Sequence, residues 1–201
     1  AVSDTLRPVR LSGQSQRNGD EIEIYFEAPT GATEFYLASA SAVDVPRIEP
    51  SWLISSDAEH DVEYLVIAPS AFRSAAQRLA ELRQARGLSS RVFTLEDIYD
   101  TYSHGVPTPQ AIHSFLSDAW RHGRTRARFA VLLGKGTFDY RNVTGRGTNL
   151  MTPVLVSTPH GLASSDLVLG DVAGSDGVPE IAVGRIPLLT LSEFESYIDK
   201  V

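Results

Sequence analysis

The chain has 201 residues, 42% of them apolar and 21% charged, with a net charge of -7; that is enough for one ordinary core, or for one domain with a smaller appendage. No run approaches the roughly eighteen consecutive apolar residues of a membrane span, and residues 1–10 lack the basic start and apolar middle of a secretory signal, so any targeting segment is expected upstream. The absence of cysteine excludes disulfides, thiolate metal sites and a cysteine nucleophile within these residues.

Residues 1–60 hold most of the charge: 4 basic against 10 acidic side chains give -6, which leaves -1 for residues 61–201. This section reads as β-rich. Glu21 to Phe26 alternates polar and apolar residues, and after the turn signal Pro29-Thr30-Gly31 a second run, Glu34 to Ala38, offers aromatic and aliphatic partners. From Pro46 to Asp61 the composition shifts to Pro, Ser, Asp and Glu, as in a linker with one short strand at Trp52 to Ile54. A domain boundary is placed near residue 60, with a second domain over 61–201.

Beyond it, strands and helices alternate. Tyr64 to Ala68 is a continuous apolar run, as expected of a strand buried on both faces. Ser70 is a candidate cap for a helix with Phe72, Ala75, Ala76, Leu79 and Leu82 on one face, and Gly87 supplies its stop. Arg91 to Leu95 returns as strand. Thr94 with Asp97 predicts a capped short helix around Ile98, with Asp where Glu or Gln is usual. Thr108 as cap and Pro109 at the first helical position open a helix that buries Ala111, Ile112, Phe115, Leu116, Ala119 and Trp120. Arg121, Arg124, Arg126 and Arg128 follow without interleaved aromatics and read as a solvated loop, so no nucleic-acid partner is expected. Phe129 to Leu133 is the third strand.

A βαβαβ order with helices at both connections implies an α/β fold: a doubly wound parallel sheet with helices on both faces, preceded by the small β-rich segment. Gly134 to Ser164 is Gly-rich, with one apolar run at Val154 to Val156, and is too long for a bland connector; it is expected at a site rim. Four carboxylates, Asp166, Asp171, Asp176 and Glu180, then lie among glycines, before a strand at Ile181 to Val183 that exits through Gly184-Arg185-Ile186-Pro187. Asp166 is expected to anchor this stretch by accepting backbone N–H bonds. Ser192 to Val201 reads as a helix with Phe194, Tyr197, Ile198 and Val201 on its apolar face and no stop signal, as if the domain continued.

Other chemistries are poorly served. Gly134-Lys135-Gly136-Thr137 follows a strand but lacks the spacing of a phosphate-binding loop, and no G-x-S-x-G elbow or paired zinc-binding histidines are present.

Taken in order, Tyr64-Leu65-Val66-Ile67-Ala68, Arg86-Gly87-Leu88, Leu95-Glu96-Asp97-Ile98-Tyr99, Thr108-Pro109-Gln110-Ala111-Ile112, Val131-Leu132-Leu133-Gly134, and Ser165-Asp166 through Gly184-Arg185-Ile186-Pro187 resemble the gingipain family of cysteine peptidases over residues 62–201. The resemblance implies a caspase-like domain of two subdomains, with the catalytic His and Cys both on the second. His104-Gly105 and His160-Gly161 follow no buried strand and have no cysteine to pair with, so no catalytic residue is expected in this chain. The chain then corresponds to the first subdomain, with the missing catalytic subdomain as its partner, polypeptide as the substrate of the parent, and the exterior or surface of a bacterium as its location. A second reading keeps the fold as a surface-attached binding or assembly module.

The same resemblance implies a calcium site whose positions fall on Lys135, Ala173, Asp176, Val178 and Glu180. Ala173 and Val178 need offer only carbonyls; Lys135 stands where a carboxylate is required. An ammonium cannot ligate calcium, so a salt bridge of Lys135 with Asp176 and Glu180 is expected in place of the ion, and no cofactor is expected. Two alternatives stay open: Asp176-Gly177 as a simple turn with solvated carboxylates, and Asp171 or Asp139 as a substitute ligand.

Overall fold

A computed structural model describes residues 7, 9–42, 53–54, 61–140, 142–145, 147–174 and 176–200, which fall into two compact units, Ala1–Glu49 and Pro50–Val201. Trp52 and most of the linker lie outside the described residues, and Leu53 and Ile54 form no strand.

In the first unit, β1 (Gly13–Asn18) pairs antiparallel with β2 (Glu21–Phe26). Gly19 opens the tight turn at φ 65°, where a side chain would be strained. The sequence marks β2 but not β1, whose run Gly-Gln-Ser-Gln-Arg-Asn has no apolar alternation. Glu34 to Ala38 is not a strand; Phe35 instead sets its ring 5.1 Å from that of Phe26.

The second unit is an α/β layer structure. Its strands are β3 (Tyr64–Ala68), β4 (Ser90–Thr94), β5 (Phe129–Leu133) and β8 (Ala182–Ile186), all parallel, in the order β4-β3-β5-β8. Between β5 and β8 come the hairpin β6 (Leu155–Thr158) and β7 (Gly161–Ser164) and the single turn α4 (Leu167–Gly170). The longer helices are α1 (Arg73–Ala85), α2 (Leu95–Ser103), α3 (Pro109–His122) and α5 (Leu191–Ile198).

Alternation along the strands sorts the core into two layers. Leu65, Ile67, Ala130 and Leu132 face one side, where Ile98 and Tyr99 of α2, Ile112, Phe115 and Leu116 of α3, and Leu169 of α4 cover them. Val66, Ala68, Val131 and Leu133 face the other, under Ala76 and Leu79 of α1 and Phe194 and Ile198 of α5. Aromatic rings mark both layers: Phe93 lies 4.7 Å from Phe115, and Phe72 lies 4.9 Å from Phe194. Burying one such ring contributes about 1.5–3 kcal/mol, so helices on both faces are held by packing rather than by propensity.

Three local expectations are corrected. Ser70 does not cap α1; Ser70–Phe72 form a 3-10 turn, and the helix starts at Arg73 without a side-chain cap. Ser70 instead donates its amide and hydroxyl to the two carboxylate oxygens of Glu96, at 2.9 and 3.0 Å. Leu95 opens α2 rather than ending β4, because the Thr94 hydroxyl takes the amide of Asp97 and starts the helix there. The last strand extends through Gly184 and Arg185 rather than stopping at Val183.

Candidate active-site edge

Parallel sheets present their function at the carboxyl ends of the strands, most of all where the strand order reverses. Here β3 is followed by β4 on one side, while β5 lies on the other, so the reversal falls between Ala68 and Leu133. Ser70 with Glu96 closes one flank of this edge. The segment after β5 closes the other. Gly134 N donates to Ile186 O at 3.0 Å, Lys135 N to Leu188 O at 3.1 Å, and Thr137 N to Asn149 Oδ1 at 3.2 Å; Lys135 O accepts from Leu150 N at 3.0 Å. These three amides are therefore engaged within the chain, and the Gly-Lys-Gly-Thr run offers no cradle of N–H groups to a phosphate. Gly136 is dictated by space, since a Cβ there would lie 2.4 Å from Met151 O.

Arg185 organises the edge. Its Nε and Nη2 each lie 2.7 Å from a carboxylate oxygen of Asp166, and Nη1 donates to Gly134 O at 3.0 Å and Met151 O at 3.1 Å. Asp166 thus holds a guanidinium rather than backbone amides: it makes no cap bond to α4 because both of its oxygens are turned to Arg185. One ion pair joins β8, the exit of β5, residue 151 and the entry to α4. A half-buried charge within a strand requires a partner, but that signal appears only once β8 is seen to run through Arg185, which the sequence reading leaves in the strand exit. Tyr99 lies in the same layer; burial pushes its phenol above the usual range.

Beside the clamp is an open groove of about 560 Å³, with Lys135, Asp166 and Arg185 as its charged members and Phe138, Leu155 and Leu162 among its apolar ones. The passage after β5 lines this groove from Lys135 to Phe138, and the hairpin β6–β7, absent from the sequence reading, lines it with Leu155, Leu162 and Ser164. His104 and His160 do not line it. His104 ends α2 at φ 54°, and His160 sits in the turn of the β6–β7 hairpin.

The acidic loop is ordered by its own backbone. Glu180 Oε2 accepts the amides of Val172 and Ala173, both at 2.9 Å; Asp176 Oδ1 accepts Val178 N at 2.9 Å; Asp171 Oδ2 accepts Gly177 N at 3.0 Å. Gly170 makes the fold possible, since a Cβ there would lie 2.1 Å from Ile181 O. Helix α3 reaches in with His113 Nε2 at 3.1 Å from Asp171 O and Arg121 Nη2 at 3.4 Å from Val172 O. The expected salt bridge of Lys135 with Asp176 and Glu180 is not formed: these carboxylates point at amides of their own loop, while Lys135 acts on Glu193 at the start of α5. Asp139 is also elsewhere, its carboxylate taking Val143 N and Thr144 N at 2.9 and 2.8 Å, which holds its pKa below the usual carboxylate range. Among the described residues no three carboxylates or imidazoles converge on one point.

The fold and edge define a doubly covered parallel α/β domain of the caspase-like kind. The family model for peptidase family C25 matches residues 57–201. The chain belongs to that family, the gingipain-like cysteine peptidases. Among solved structures, dimeric latent PorU from Porphyromonas gingivalis aligns with a TM-score of 0.58 and 22% identity, over 69% of this chain and 15% of that one. The complex of the pro- and mature domains of RgpB, from the same organism, aligns with a TM-score of 0.53 and 22% identity, over 69% and 28%. The Arg-specific cysteine proteinase gingipain R (RgpB) gives 0.53 and 20%, over 70% and 28%. At these identities the likeness is one of fold, and the chain spans less than a third of each relative. No curated protein matches it. Among the described residues no helix is long and apolar enough to cross a membrane.

Proposed function

We propose that this chain is the supporting first subdomain of a cysteine endopeptidase, whose His/Cys dyad is supplied by sequence outside these 201 residues. One observation carries the reading: residues 57–201 match a cysteine peptidase family, yet the chain contains no cysteine. Its contribution is the four-stranded sheet and the clamped edge against which a catalytic subdomain docks, with polypeptide as substrate of the assembled enzyme. The reading places the assembled enzyme outside the bacterial cell, which the same membership supports. Peptide hydrolysis by the whole protein, and none by the 201-residue chain, is the expected result. Hydrolysis by the chain alone overturns the reading.

The acidic loop keeps its form in this account without calcium, with Lys135 at the position where the resemblance places a carboxylate. The amide bonds to Glu180 and Asp176 support this. Calorimetric titration with calcium is expected to give no saturable heat for the unaltered protein. Saturable binding, lost in Glu180→Gln, contradicts it.

A further inference from the structure

We propose that the groove beside the Arg185 clamp is a binding site for an extended, acidic stretch of polypeptide, whose carboxylate meets Lys135 while flanking aliphatic side chains lie on Phe138, Leu155 and Leu162. The inference deepens the proposed function and rests on it for the peptide's role as substrate.

Charge is the first argument. Three formal charges line the groove. Asp166 and Arg185 cancel each other through paired contacts at 2.7 Å, so Asp166 offers no free anion to a basic ligand. Lys135 is exposed and belongs to none of the ion pairs found among the described residues. Glu193, which feels the field of Lys135, keeps its charge while accepting the amides of Leu189 at 2.9 Å and Thr190 at 3.0 Å, but it stands at the start of α5 outside the groove's lining. In a chain of net charge -7, this groove therefore carries a local surplus of one positive charge.

Shape and surface are the second. Phe138 and Leu162 are 82% and 72% exposed, an unusual degree for large apolar side chains that line one depression. The register sets Leu155 opposite Ser164, so Leu155, Leu162 and Ser164 share one face of the hairpin. Among the described residues β7 pairs with β6 alone, so its other edge can take an extended backbone. A volume of about 560 Å³ is in the range that holds a few side chains. Apolar walls, an open strand edge and one cation together describe an acidic-aliphatic peptide better than a compact anion.

The test uses the full-length protein and two fluorescein-labelled hexapeptides, one alternating valine with glutamate and the other valine with lysine, read by anisotropy. The glutamate peptide is expected to bind about fivefold more tightly, the upper range for a solvent-accessible ion pair, with the difference shrinking as salt rises. Lys135→Gln should erase the preference and Lys135→Glu should reverse it. Phe138→Ser should weaken both peptides alike, and its exposure makes misfolding no concern. Equal binding of the two peptides, or a preference unchanged in Lys135→Glu, overturns the inference. Binding without hydrolysis counts against the peptidase reading and leaves the groove standing; hydrolysis that ignores acidic residues does the reverse.

Discussion

Replacing Arg185 with alanine is the sharpest perturbation of the fold's functional edge. The Arg185 and Asp166 side chains are 12% and 20% exposed, and the guanidinium makes two contacts to the carboxylate and two to the carbonyls of Gly134 and Met151. Alanine strands a largely buried carboxylate and leaves both carbonyls without this donor. Breaking a buried pair in this way costs about 3–5 kcal/mol. Because some solvent still reaches both groups, the lower end applies, about 3 kcal/mol, which for a chain of this size lowers Tm by roughly 6–12 °C. Urea unfolding followed by circular dichroism measures it, and a double-mutant cycle with Asp166→Asn isolates the pair. A coupling above about 1 kcal/mol is expected. Additivity within about 0.5 kcal/mol, or a loss for Arg185→Ala below about 1 kcal/mol, refutes the clamp.

Two further outcomes test the core and the last helix. Phe115→Ala removes a fully buried ring that stacks near Phe93 and Tyr102, and should cost about 3–5 kcal/mol in the same unfolding assay; a loss under about 1 kcal/mol shows that α3 is not packed as described. Glu193 forms a capping box with Thr190, and its bonds from the amides of Leu189 and Thr190, with the field of Lys135, hold its pKa below the usual carboxylate range. Its contribution is therefore full above the ordinary glutamate pKa and is lost as pH falls through the lowered value. Glu193→Gln should lower stability at neutral pH and flatten the acid limb, so that the two curves converge as pH falls, and an identical acid limb in the two proteins refutes that assignment.

Much of the second unit is legible because its sequence signals agree with one another. Continuous apolar runs mark β3 and β5, and Thr108-Pro109 with a wide apolar face marks α3, so pattern, cap and burial converge. The hairpin β6–β7 is hidden because Leu155–Thr158 and Gly161–Ser164 are short and mixed, and their pairing depends on tertiary placement rather than alternation. The same holds for β1, whose polar residues take their conformation from β2. At the site, the sequence identifies the acidic loop and Lys135 but not their partners. Asp166 and Arg185 lie 19 residues apart and meet through the crossover into β8, while Lys135 and Glu180 are separated by the amides that the loop folds inward. Charge pairing over such distances is set by backbone direction, which composition does not encode.

The central claim is that the nucleophile of the assembled enzyme lies outside this chain. Alkylating the whole protein with iodoacetamide while following peptide hydrolysis, and mapping the modified residue by mass spectrometry, tests it most directly. The account predicts that activity disappears together with labelling of one cysteine beyond residues 1–201. Hydrolysis that survives complete alkylation would contradict it.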